Sequence, residues 1–119
     1  MKWVLLACAG AVGTLARYGL STAVQRWSGH AFPWGTFAVN VLGCFLWGLL
    51  EQRQATLGVW RTVALVGFLG SFTTFSSFAH DSGALLRGAE WFAATANIVG
   101  QNVLGLLALF AGLAVARWF

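Results

Sequence analysis

Four apolar stretches, each close to the length that crosses a bilayer as a helix, occupy most of the chain and leave only short polar connections between them. That arrangement leaves little polar surface for water: 8% of the 119 residues are charged, against about a quarter in an ordinary soluble domain. The chain therefore reads as a single all-α membrane domain, residues 1–119. Its four transmembrane helices fall at about Trp3–Leu20, Pro33–Leu50, Val59–Ala79 and Trp91–Trp118. The many Trp and Phe residues suit aromatic belts at the membrane interfaces. Met1-Lys2 ahead of an apolar run looks like a signal peptide, but Arg17 interrupts its end and no small-residue cleavage site follows cleanly. It is expected to be a retained first span.

The third stretch is the unusual one. Gly67-Phe68-Leu69-Gly70-Ser71-Phe72-Thr73-Thr74-Phe75-Ser76-Ser77-Phe78 joins two glycines, a hydroxyl-rich centre and four phenylalanines. Gly is a poor helix former, and Ser and Thr hydroxyls compete with the helix ladder for backbone groups. A break is expected here. Non-helical backbone at membrane depth survives only where protein buries it or water reaches it. The stretch is therefore a candidate site.

The other spans carry their polar residues in rows. Gly10 and Gly13 give the first span a face on which a neighbouring helix can approach closely. The segment Ser21–Phe32, with Arg26, Trp27 and His30, reads as an interfacial loop, and Pro33 as the first helical residue of the second span. Thr36, Asn40 and Gly43 share one face of that span; Asn97, Gln101 and Gly105 share one face of the fourth. His80–Gly83 and Arg87–Glu90 read as a polar connection, and Glu51–Gln54 as another. Arg17, near the end of the first span, either snorkels as an anchor or faces an anion vestibule. Asn40, Asn97 and Gln101 are either glue between helices or, with Thr36, Thr73, Thr74, Ser76 and Ser77, donors along a pore. Phe75 and Phe78 are either packing residues or, edge-on, contacts for a small anion, because an aromatic ring has a positive edge. With no Asp, Glu or Lys expected deep in a span, a donor-rich track suits an anion better than a cation or proton.

Several classes are excluded. The net charge of +4 forms no basic run, which argues against nucleic acid. Cys8 and Cys44 lie in separate spans without metal-ligand or redox spacing and read as small hydrophobes. The two His and three carboxylates assemble into no catalytic constellation, so no enzyme is expected. The basic residues barely bias orientation. With both termini on one side, Lys2, Arg53, Arg61 and Arg117 stand against Arg17, Arg26 and Arg87, four against three, which permits insertion both ways.

Three patterns in order resemble the Fluc (CrcB-type) fluoride channel family over nearly the whole chain. They are Gly10-x-x-Gly13-x-x-x-Arg17-Tyr18, Gly35-Thr36-x-x-Val39-Asn40-x-x-Gly43-x-Phe45-x-x-Gly48 and Gly67-Phe68-x-Gly70-x-x-Thr73-Thr74-Phe75-Ser76-x-Phe78. The resemblance implies an antiparallel, dual-topology homodimer in the bacterial inner membrane, with two pores that pass fluoride down its gradient and so confer resistance. It implies a pore role for Asn40 and ring-edge contacts from Phe75 and Phe78. It also implies a structural Na+ at the dimer centre, held by the backbone carbonyls of Gly70 and Thr73. The fourth span departs from the pattern: amides stand at Asn97 and Gln101 where hydroxyl-bearing Tyr and Ser are expected. A small multidrug-resistance-type proton-coupled exporter shares the four-span, dual-topology design, but it needs an embedded Glu that the first span lacks.

Overall fold

The computed structural model describes residues 1–52 and 57–118. Arg53, one of the residues in the charge count, lies outside the described residues. Four helical spans are present: Lys2–Ser28, Trp34–Glu51, Val59–Arg87 and Trp91–Ala116. We label the regular α-helical elements α1 (Lys2–Ser28), α2 (Trp34–Glu51), α3 (Val59–Thr62), α4 (Gly70–Phe72), α5 (Phe75–Arg87) and α6 (Trp91–Ala116). Between α3 and α4 the third span is a π-helix, Val63–Leu69. Its break falls at Thr73 and Thr74, both in extended conformation. This is where the sequence places an interruption.

Three boundaries differ from the sequence reading. The segment Ser21–Ser28, read as loop, is the last part of α1. Twenty-seven helical residues rise about 40 Å at 1.5 Å each, more than the hydrocarbon core requires, so the polar end of α1 can stand in the interface and stay helical. Arg17 is accordingly in the interior of α1 and not near its end, which removes the easy snorkelling route. Likewise His80–Gly83, read as a connection, lies within α5. Composition there reports polarity correctly and conformation wrongly. Pro33 precedes α2 as its N-cap and is not its first helical residue. The turn between α1 and α2 folds over Gln25, whose Nε2 donates to the carbonyls of Gly29 and Phe32 while the Gly35 N–H donates to its Oε1.

Close packing of small residues sets the spacing of the spans. The largest interhelical contact joins α2 and α6. A Cβ added at Gly48 would strike the Leu109 carbonyl, and one at Gly112 would strike the Phe45 carbonyl, so each helix seats a bare backbone against the other. Along the interface Phe37 meets Gly100, Cys44 meets Gly105 and Gly48 meets Leu109, so the two helices advance in the same direction and Asn40 stands level with Gln101. The small-residue face of α1 does the same for the third span. A Cβ at Gly13 would collide with the Phe68 carbonyl, and Gly10 faces Ser71 Oγ at 3.2 Å from its would-be Cβ. The core of the subunit is Val39, Leu65, Leu69 and Phe72, directly beneath the break.

Candidate functional site: the broken third span

The break is built by local backbone competition. Thr73 N–H and Thr73 Oγ1 both bond to the Leu69 carbonyl at 3.0 Å, which ends the helix arriving from below. Thr74 then starts α5 as its N-cap, with its Oγ1 accepting from the Ser77 N–H at 3.2 Å. Thr is a favoured residue there because its oxygen satisfies one of the unpaired donors of the first turn. The same hydroxyl donates to Ser77 Oγ at 3.1 Å.

Asn40 reaches across from α2 and holds the gap open. Its Oδ1 accepts from the Thr74 N–H at 2.8 Å, and its Nδ2 donates to the Thr74 carbonyl at 3.1 Å. A side-chain amide thus pairs with both main-chain groups of one residue, as a neighbouring strand would. In an unbroken helix the N–H groups of Thr74 and Ser77 would bond to the carbonyls of Gly70 and Thr73. Here those N–H groups go to Asn40 Oδ1 and Thr74 Oγ1 instead. The carbonyls of Gly70 and Thr73 are thereby deprived of their regular helical donors. Those oxygens are of the type a hard cation takes as ligands.

The polar row of α6 continues from Asn40. Asn40 Nδ2 also donates to Gln101 Oε1 at 2.8 Å, Gln101 Nε2 to Asn97 Oδ1 at 2.9 Å, and Asn97 Nδ2 to Ser82 Oγ at 2.9 Å. Ser82 Oγ finally donates to the Phe78 carbonyl at 2.7 Å. Asn97 is fully buried within the subunit and Gln101 nearly so.

A cavity of about 440 Å³ opens beside the break. Asn40, Thr73, Thr74, Phe75, Phe78 and Gln101 line it, with Gly43, Cys44, Trp47, Asn102 and Leu109. The rings of Phe75 and Phe78 stand 5.5 Å apart, tilted by 45°. The lining offers fewer free donors than its composition suggests. Both Asn40 amide hydrogens are engaged, and the hydroxyls of Thr73 and Thr74 donate to Leu69 and Ser77. Gln101 and Asn102 each have one amide hydrogen beyond those bonds, the Asn102 side chain giving its other to the Ile98 carbonyl. The rings of Phe75 and Phe78, which line the same cavity, carry positive edges that can meet an anion.

The remaining sequence candidates lie elsewhere. Thr36 lines a second cavity of about 580 Å³ near the α1–α2 turn, together with Arg26, His30 and Asp81. Its Oγ1 donates to Asp81 Oδ2 at 2.8 Å. Asp81, read as part of a polar connection, sits on α5 six residues before its end, beside Thr36 and 3.2 Å from His80 Nδ1. Its neighbours His80 and Ser82–Gly83 gave it the look of a turn. Asp81 is absent from the lining of the cavity at the break. Arg17 lines neither of these cavities, and its Nε is buried with no hydrogen-bond partner among the described residues. Cys44, Trp47, Asn102 and Leu109 were missed as lining residues. Cys44 and Trp47 follow Asn40 along α2 at helical spacing, and that periodicity could have found them.

Four apolar helices, one of them broken beside a cavity that amides, hydroxyls and aromatic rings line together, define a multi-pass membrane protein of the transport type. The family model described as "CrcB-like protein, Camphor Resistance (CrcB)" matches residues 4–113, and the chain belongs to that family. Among curated relatives, the "Fluoride-specific ion channel FluC" of Nitrosococcus oceani is 48% identical over 121 residues, covering 98% of this chain and 95% of the relative. The proteins of the same name from Desulforapulum autotrophicum and Solidesulfovibrio magneticus are 49% and 52% identical, each covering 98% of this chain and 96% of the relative.

Proposed function

We propose that the protein is a fluoride channel of the cell membrane that lets fluoride leave down its electrochemical gradient. The observation that carries the reading is the break at Thr73–Thr74, with the two phenylalanines and the Asn40 clamp at one cavity, in a chain about half identical to proteins named fluoride-specific channels. Fluoride is small and strongly hydrated, so a path for it must replace water. Ring edges and the remaining amide hydrogens of Gln101 and Asn102 are the groups here that can do so. Coupling to protons through an embedded carboxylate has no support at this cavity, whose lining contains no Asp or Glu.

The working unit is an antiparallel homodimer. Gly70, Phe75, Ser76, Ala79 and His80 are exposed on the subunit, with Phe75 at 79%. Broken backbone and serine hydroxyls are not tolerated against lipid, so a second copy fits as their cover. The even balance of basic residues permits the inverted copy to insert. On a two-fold axis, the Gly70 and Thr73 carbonyls of both copies would give four oxygen ligands to a Na+ ion. Bound there, the ion supplies a buried positive charge that neutralises the carbonyl dipoles and favours anions nearby.

Purified protein in liposomes should release trapped fluoride once an ionophore balances charge, without an imposed proton gradient, while chloride stays inside. Equal chloride release, or a requirement for a proton gradient, would refute the reading.

A further inference from the structure

We propose that Gln101 is a positioning residue: its side-chain carbonyl accepts from Asn40 and so locks the Asn40 amide onto the Thr74 peptide. The effect on transport rests on the channel reading above; the structural effect does not.

One donor in this row is fixed. The Thr74 N–H can only donate, so Asn40 must present Oδ1 to it, and Nδ2 is left facing the other way. One Nδ2 hydrogen meets the Thr74 carbonyl, and the second needs an acceptor, which is Gln101 Oε1. Gln101 must then turn Nε2 toward Asn97 Oδ1, and Asn97 must turn Nδ2 toward Ser82 Oγ. The Ser82 hydroxyl hydrogen goes to the Phe78 carbonyl, on the first turns of α5. A single direction of donation thus runs from the break through α2 and α6 and back to the turn that carries Phe78. Reversing any amide in it would set two donors or two acceptors face to face in a site with little water. Burial of Asn97 and Gln101 makes that costly.

This reading separates from a hydroxyl-type pore track. A serine at position 101 supplies a donor and an acceptor but is too short to meet Asn40 across the α2–α6 gap. It separates from simple space-filling as well, because what matters is an acceptor at the distance of Oε1.

The test measures hydrogen exchange of the Thr74 backbone amide by NMR in lipid nanodiscs, with fluoride efflux from vesicles run in parallel. Gln101→Ser and Gln101→Met should each speed Thr74 exchange about tenfold, roughly the value of one neutral hydrogen bond, while amides elsewhere in α2 and α6 keep wild-type rates. Gln101→Glu, measured at a pH low enough to keep that buried carboxyl protonated, should leave Thr74 protected, because its carbonyl oxygen still accepts from Asn40 while its O–H donates to Asn97 Oδ1. Efflux through Gln101→Ser should fall about as far as exchange rises. Wild-type protection in Gln101→Met, loss of protection in Gln101→Glu, or wild-type efflux in Gln101→Ser would overturn the proposal. Should wild-type vesicles carry no fluoride, the channel reading falls and the exchange rates alone decide the role of Gln101.

Discussion

Replacing Asn40 with leucine is expected to cut fluoride efflux by about two orders of magnitude and to lower the unfolding midpoint of the protein in detergent. The leucine fills similar volume but leaves the Thr74 N–H and carbonyl without the partners that Asn40 gives them. Each buried backbone group left unpaired costs about 1–3 kcal/mol. The chain has one nearby way to recover part of that loss: Thr74 can swing its N–H back to the Gly70 carbonyl and re-form a continuous helix. That relaxation takes from Gly70 the oxygen proposed for the central ion, and it turns the first turn of α5 away from the cavity. Efflux measured beside denaturant titration checks both halves. Wild-type efflux in Asn40→Leu would mean that the break does not depend on the clamp.

The second large effect belongs to the phenylalanines. Phe75→Leu and Phe78→Leu should each reduce fluoride efflux by at least about tenfold, because an aliphatic group has no positive edge to offer an anion. Stability should respond far less at Phe75, whose side chain is largely exposed on the subunit and contributes little to its core. A pair of measurements, efflux and thermal unfolding, therefore separates an anion contact from a packing residue. If both variants conduct like the wild type, the rings pack and do no more.

Much of the architecture is visible in the residues themselves. Long apolar runs with few charges leave a chain this short little alternative to crossing a membrane, and the glycines of α1, α2 and α6 mark where backbones meet. The break at Thr73–Thr74 is readable because Thr and Ser compete with the helix ladder there. The extension of α1 to Ser28 and the helical state of His80–Gly83 are not readable in the same way. Polar residues announce contact with water, and a helix that has left the hydrocarbon core can carry them as well as a loop can. The π-helix at Val63–Leu69 is hidden for another reason: its register answers to packing against Gly13 and Ala9 of α1, which no local pattern encodes.

The site shows the same division. Spacing alone puts Asn97 and Gln101 on one face and gathers Phe75 with Phe78. It does not show that the amides point at one another in a fixed order, since that order is imposed by a single N–H on a different span. Nor does it show that the donors around the cavity are largely engaged within the protein. Counting amides and hydroxyls along the sequence overstates what an anion would find. Asp81 escaped notice as a span residue because its neighbours have turn-like composition, and its bond to Thr36 appears only when α5 and α2 are set side by side.

Side chains divert the Thr74 and Ser77 amides, and the carbonyls of Gly70 and Thr73 that lose those donors are the proposed ligands of a cation. An experimental structure of the protein in lipid with sodium present tests that assignment most directly. The expected result is a discontinuous third span and density for one ion on a two-fold axis, bound by those two carbonyls from each of two inverted copies. Because no side chain is a ligand, Thr73→Val should retain that density. A continuous third helix, or a central ion held by side-chain oxygens, would contradict it.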